Sequence, residues 1–250
     1  MQAYGPGFAR IYNLRWGDFS DQVAPCLLEF FERRGLASGH VLDLCCGAGH
    51  LVRHFLTAGW SVTGIDLSEH MLAHARRNCA NWQRKGKAAF LLGDAAGYRL
   101  DQPVDAVVST YDALNHLPDA DALRGCFRAT HKALKPGGWF LFDLNTALGL
   151  RSWNSLSVRD LDDAHIVTRG AYDESERRAW TSISGFFTDE SGHWQRFSET
   201  IFNRVWSLDN VALWLRQAGF AHSHFARVRE LDQPLTEPES ERRVFVVAQA

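Results

Sequence analysis

The sequence predicts an α/β fold in which an open, mostly parallel sheet carries helices on both faces and a small antiparallel β insertion interrupts the chain. Three observations predict it. From Val41 to Asn145, short apolar runs alternate with helix-patterned segments, the signature of successive βαβ units. Runs such as Val41-Leu42-Asp43-Leu44 and Ala106-Val107-Val108 are apolar on both sides, as strands covered on both faces must be. After Asn145 the pattern changes to longer alternating segments joined by polar turns.

The elements follow in order. Tyr4, Phe8, Tyr12 and Trp16 recur every four residues, which places them on one helix face, either as a lid or as plain packing. VAPCLLEFFERRG reads as a second helix. VLDLCC is the first strand and HLVRHFLTAG its helix; SVTGIDL is the second strand, and the helix SEHMLAHARRNC starts at a Ser68 cap with Glu69 in its first turn. AAFLLGDA and DAVVSTYD are the third and fourth strands. The helix DALRGCFRATHKAL stops at Lys135-Pro136-Gly137-Gly138 before the fifth strand, WFLFDLN.

Residues 147–206 read as the insertion, with IVTRGAYD, RAWTSISGFFTDE and HWQRFSETIFNRVW as strands. Their turns fall at Asp173-Glu174-Ser175-Glu176 and Asp189-Glu190-Ser191-Gly192. Ser207 then caps LDNVALWLRQAG, Gly219 ends that helix, and FAHSHFARVRE and RRVFVVAQA return as strands. The expected division is a core of 1–146 with 207–250, capped by 147–206.

The chain has 250 residues, 46% hydrophobic and 22% charged, ordinary values for a folded enzyme or binding module. A net charge of -2 without a dense Lys/Arg run argues against nonspecific nucleic-acid binding. The five cysteines form no CxxC pair and are odd in number, so a reduced, cytoplasmic setting is expected, and no metal-ligand set is assigned. Neither a secretory leader nor a run approaching the ~18 apolar residues of a membrane span is present, so no membrane partner is expected.

The chemistry concentrates where VLDLCC runs into Gly47-Ala48-Gly49, at the carboxyl end of the first strand, the edge at which open α/β sheets bind ligands. Asp43 stands at that turn, Asp66 ends the second strand and Asp94 ends the third, so three acids at three strand ends form one crevice. A dinucleotide fingerprint needs a third glycine where Val52 stands, and the loop lacks a Walker lysine, so a phosphate-bearing cofactor is disfavoured. S-adenosylmethionine has a ribose diol, an adenine amine, an ammonium and a sulfonium but no phosphate, and carboxylates suit it. Asp66 can accept from both ribose hydroxyls, and Asp94 from the adenine amine, with the Ala95 amide as a donor. Asp43 can attract the ammonium directly or through water. Cys45, Leu67, Met71, Tyr12 and Tyr111 are further candidates for the cofactor pocket.

VLDLCCGAGH, VTGIDLSEHMLAHAR, LLGDAAGY, VDAVVSTYDALNHL and LKPGGWFLFDLNT resemble, in order, the motifs of the class I S-adenosylmethionine-dependent methyltransferases over about the first 145 residues. The resemblance implies a Rossmann-like seven-stranded sheet whose last strand, RRVFVVAQA, is antiparallel. It assigns Asp43, Gly47 and Gly49 to the methionine moiety, Asp66 to ribose and Asp94 to adenine. Cys45 departs from the family, which often has glycine there. The insertion is similar in position to the acceptor-binding sheet of small-molecule N-methyltransferases, such as those acting on amino sugars, which makes a small molecule the expected acceptor.

His116, in the segment after the fourth strand, is the candidate general base, with a surface or capping role as the alternative. Asn115 and Tyr111 would position groups or transfer protons. Cys45 and Cys46 read as packing residues, since no base is identifiable beside them. Trp153, Trp180, Phe186, Phe187, Trp194, Phe197 and Trp206 either line an acceptor pocket or pack the insertion on the core. The expected function is methyl transfer to an N or O of a small molecule. The alternatives are a regulatory protein that binds the cofactor without turnover and an NAD-linked oxidoreductase.

Overall fold

The computed structural model describes residues 4–189 and 191–250. Along the chain, α1 (Pro6–Arg15) and α2 (Asp18–Glu32) precede β1 (His40–Leu44), α3 (His50–Thr57), β2 (Ser61–Asp66), α4 (Glu69–Asn78), α5 (Ala80–Arg84) and β3 (Ala88–Leu92). Then come β4 (Val104–Ser109), α6 (Ala120–Ala133), β5 (Leu134–Asn145) and α7 (Ala147–Arg151), followed by β6 (Leu156–Leu161), β7 (Ala164–Asp173), β8 (Arg178–Thr188) and β9 (Trp194–Arg204). The chain closes with α8 (Leu208–Ala218), β10 (His222–Ala226) and β11 (Arg243–Gln249).

Seven strands form one sheet in the order β10-β11-β5-β4-β1-β2-β3. β1 pairs in parallel with both β2 and β4, while β11 runs antiparallel to β5 and β10. The chain therefore leaves β1 toward β2 and β3 on one side and later returns to β4 and β5 on the other. That reversal opens a crevice at the carboxyl ends of β1 and β4.

Alternate strand residues feed two cores, one on each face. Val41, Ala106, Val108 and Leu141 pack with Leu27, Phe30 and Phe31 of α2 and Phe55 of α3. Leu42, Val107, Phe140 and Phe142 pack instead with Phe127 of α6 and Val211 and Leu215 of α8. Each fully buried Leu or Phe contributes roughly 1.5–3 kcal/mol of apolar transfer.

The insertion is a separate four-stranded antiparallel sheet, β6-β7-β8-β9. Phe187 and Phe197 bury against Phe8 and Ile11 of α1, and Trp206 enters the core beside α8. Trp180, Phe186 and Trp194 are instead exposed.

Several boundaries differ from expectation. β6, α5 and α7 went unanticipated. Lys135-Pro136-Gly137-Gly138 lies inside β5 by hydrogen bonding, beside a register shift at Val104/Ala106 rather than in a separate loop. Ser207 occupies the cap position of α8 without a side-chain capping bond, whereas Ser68 Oγ does accept from Met71 N. FAHSHFARVRE is a strand only over β10, and Val228–Glu230 forms a short 3-10 turn. Of the second expected turn in the insertion, Glu190 lies outside the described residues.

Candidate active site

The crevice becomes a single cavity of about 550 Å³ between the carboxyl edge of the large sheet, α1 and the small sheet. At its sheet end, the loop after β1 turns sharply, with left-handed backbone at Cys45 (φ 64°), Gly47 (φ 53°) and Gly49 (φ 79°). Gly47 lets the backbone face Tyr12, whose ring a Cβ at this position would meet at 3.4 Å. Its amide donates to Asp66 Oδ2 at 2.8 Å, and the Ser68 amide donates to Asp66 Oδ1 at 2.8 Å. Asp66 is thus fixed at the end of β2 with one bond on each oxygen, and each oxygen keeps acceptor capacity for a ligand in the cavity. Burial raises its pKa, against the lowering effect of the Ser68, Gly47 and Leu67 amides.

Tyr12, Cys45, Leu67, Met71, Ala95 and Tyr111 line the cavity beside Gly47 and Asp66. Three expected residues sit elsewhere. Asp43 is buried behind the loop and lines an adjoining space of about 20 Å³ with Ser20, Tyr12 and His50, enough for one water. Its Oδ2 has no hydrogen-bond partner, and burial, then the charge of Asp66, push its carboxyl well above the ordinary range. Gly49 faces α4, where an added Cβ would meet Ala75 at 3.2 Å, so its want of a side chain serves helix packing. Asp94 lies two residues beyond β3, exposed, with Oδ1 accepting from the Ala96 amide at 2.9 Å.

The N-terminal helix closes one wall. Tyr4 and Phe8 line the cavity with ring centroids 4.6 Å apart. Ser68 Oγ donates to the Tyr4 carbonyl at 2.7 Å, and the Gly5 amide donates to Glu199 Oε1 of β9 at 3.0 Å. The two residues that lead into α1 therefore tie the carboxyl edge of the large sheet to the small sheet.

The opposite wall is built around the turn after β4, where Tyr111 and Asp112 are both left-handed (φ 67° and 49°). Asp112 Oδ2 accepts from Asn203 Nδ2 at 2.7 Å, and Oδ1 accepts from Arg243 Nη2 at 2.7 Å. Arg243 also donates to Asp143, whose Oδ2 accepts from the Asp112 amide at 2.9 Å. Burial works against the Arg243 charge, but Asp143 and Asp112 outweigh it and raise its pKa. Asn115 is fully buried, donating Nδ2 to the Asn145 and Arg204 carbonyls at 3.0 and 2.9 Å and accepting from the Asn145 amide at 2.9 Å. These bonds hold β9 against the ends of β4 and β5. Sequence reasoning missed Asp112, Asp143, Arg243 and Asn203.

His116 lines the cavity as well. Its Nδ1 lies 2.8 Å from the Phe202 carbonyl, and its Nε2 lies 3.9 Å from Asp112 Oδ2. The Tyr111 phenol is pushed up to about 12 by burial and then by Asp112, so it stays neutral near pH 7. Among the described residues, no cluster of three or more His, Cys, Asp or Glu side chains could hold a metal ion, and no helix is long and apolar enough to cross a membrane.

These features meet what S-adenosylmethionine requires. Asp66 at the glycine loop, with the buried carboxyl of Asp43 behind it, suits a cationic, phosphate-free ligand and opposes a pyrophosphate, and Asp43 Oδ2 has no hydrogen-bond partner of its own. Comparison with known proteins agrees. Residues 41–138 match a methyltransferase domain. A putative methyltransferase of Bacillus subtilis (strain 168), YqeM, is 29% identical over 214 residues, covering 84% of each chain.

Among solved structures, an S-adenosylmethionine-dependent methyltransferase from Clostridium acetobutylicum ATCC 824 superposes with a TM-score of 0.78 at 21% identity, covering 97% of both chains. The sugar N-methyltransferase KedS8 from Streptoalloteichus sp ATCC 53650 superposes with a TM-score of 0.72 at 21% identity, covering 100% of this chain and 94% of that one. The chain has the fold of the class I S-adenosylmethionine-dependent methyltransferases and carries a methyltransferase domain.

Proposed function

We propose that the protein methylates a nitrogen or oxygen of a small-molecule acceptor, with the cofactor on the carboxyl edge of the large sheet and the acceptor under the small one. The observation that carries this reading is the continuity of one cavity from Asp66 and Gly47 to His116, Asn203 and Trp153. Its volume of about 550 Å³ falls within the usual range for small-molecule sites, roughly 300–1,000 Å³. Residues 1–146 and 207–250 form the cofactor-binding core in this reading, and 147–206 form the acceptor cap. A cytoplasmic setting accords with five free cysteines.

Asp66 would hold the ribose hydroxyls, Asp43 the ammonium through the small water space, and Gly47 the methionine backbone. Leu67, Met71 and Ala95 would flank the adenine, with Asp94 at its rim. When bound, S-adenosylmethionine supplies a methyl group already activated by positive sulfur, so alignment provides much of the acceleration. The chain's own part is positional. α1 and the small sheet exclude water, the Asn115 and Asp112 bonds fix the acceptor wall, and His116 stands ready to take a proton at Nε2.

The test uses S-adenosylmethionine labelled in its methyl group and the small-molecule fraction of a cell extract. Transfer of label to at least one low-molecular-weight product is expected. Tight cofactor binding with no transfer to any small molecule would instead make the protein a cofactor-binding regulator. Preference for NAD over S-adenosylmethionine would overturn the cofactor assignment.

A further inference from the structure

We infer, resting on the reading above, that the acceptor carries an anionic group, a carboxylate or phosphate, received by Arg178. Arg178 is the first residue of β8 and lines the cavity, with its guanidinium carbon 4.2 Å from the centroid of the Phe202 ring. It forms no ion pair among the described residues, unlike Arg243, the other arginine on the cavity wall, which is neutralised by Asp112 and Asp143. Arg204 stands directly opposite Arg178 in the β8–β9 ladder and also lacks an ion pair among the described residues. Like charges directly across a ladder destabilise it unless an anion joins them.

The neighbouring carboxylate does not relieve the pair. Asp173 is the register partner of Arg178 on β7, but its Oδ1 accepts from the Ser175 amide and hydroxyl and from the Glu176 amide, turning it onto its own loop. A guanidinium lying on an aromatic ring keeps its edge donors free, the geometry that takes a carboxylate or phosphate with two bonds. The cavity is polarised as a result. Asp66 at the end of β2 and an arginine at the start of β8 without an ion pair among the described residues both line it, so an acceptor with an anionic tail is drawn in with that tail toward Arg178.

The test is a titration, followed by NMR, of the protein saturated with S-adenosylhomocysteine, using benzoate, phenyl phosphate and the neutral isostere benzamide as probes. At least one anion is expected to bind tenfold or more tightly than benzamide. Comparing benzoate with phenyl phosphate tells carboxylate from phosphate. Arg178→Ala should abolish the preference and Arg178→Lys should keep part of it, while unchanged S-adenosylhomocysteine affinity shows that each variant is folded. Equal binding of all three probes, no binding of either anion, or a preference that survives in Arg178→Ala overturns the inference. Failure of S-adenosylhomocysteine to bind the wild type would overturn the methyltransferase reading, and this inference with it.

Discussion

His116 Nδ1 lies 2.8 Å from the carbonyl oxygen of Phe202, across the junction between the two sheets. A carbonyl oxygen only accepts, so Nδ1 carries the proton and the neutral ring presents Nε2 as its basic nitrogen. Asp112 Oδ2, 3.9 Å from Nε2, would stabilise the imidazolium formed when that nitrogen takes a proton. His116→Ala is therefore expected to lower turnover by ~100-fold or more with little change in cofactor affinity. Part of the loss should return at high pH when the acceptor is a hydroxyl. Turnover within about threefold of wild type across a full pH-rate profile would remove His116 as a base and leave alignment as the main source of rate.

Asp66 does two jobs with one carboxylate, since it accepts from the amides of Gly47 and Ser68 while facing the cavity. Asp66→Ala should weaken S-adenosylmethionine binding by about 1.5–3 kcal/mol, the scale of bonds to a charged acceptor. Asp66→Asn should also bind weakly, because an amide NH₂ must then face one of the two backbone donors. Calorimetric titration of both folded variants measures this. Wild-type affinity in either would refute the ribose assignment.

Asp43 predicts a pH dependence. Its folded pKa is raised, first by burial and then by Asp66. Below the ordinary carboxylate value both folded and unfolded chains are protonated there. As pH rises above it, the unfolded chain ionises first, and the ligand-free fold loses stability until the raised value is passed. A cationic ligand group near Asp43 favours the ionised form, so binding should expel a proton and tighten with pH over that same window. Titrations in two buffers of different ionisation enthalpy detect the proton. In Asp43→Asn this proton release and its share of the pH slope should vanish, and a wild type that releases no proton would exclude the coupling.

Cys45 holds a left-handed conformation at φ 64° in the position where related loops often carry glycine. Left-handed backbone costs a residue with a Cβ roughly 1–2 kcal/mol, while glycine loses about 0.5–1 kcal/mol through its more flexible unfolded chain. Cys45→Gly should therefore melt at or slightly above the wild-type temperature and retain cofactor affinity. Cys45→Val, branched at Cβ, should melt lower. The reverse order of melting temperatures would show that packing, not backbone strain, governs this site.

The large sheet was legible because β1, β2, β4 and β5 are short runs buried on both faces, and each is followed or preceded by a helical pattern. β6 was not legible, since all six of its residues are exposed and give no alternation to read. The carboxyl edge of the sheet was legible because Gly47 and Asp66 sit close to strand ends and line the cavity, whereas Asp43, one turn away, is buried behind the loop. Asp94 and Gly49 share that neighbourhood, yet whether each faces the cavity depends on one or two residues of backbone. The wall built around Asp112 was hidden for another reason. Asp112, Asp143, Asn203 and Arg243 come together only through the crossing of β5, β9 and β11, and no local pattern joins residues separated by 31 to 131 positions. The closing role of α1 was half visible in the four-residue aromatic spacing, but its bond to Glu199 was not.

The most direct test of the account is a crystal structure of the protein with S-adenosylhomocysteine. The expected result places the ribose hydroxyls within hydrogen-bond reach of Asp66, the amino-acid end at Gly47 and Asp43, and the thioether sulfur toward Tyr111 and His116, leaving the space by Arg178 open for the acceptor. A ligand seated away from the carboxyl ends of β1 and β2, or one that occupies the crevice without touching Asp66, would contradict it.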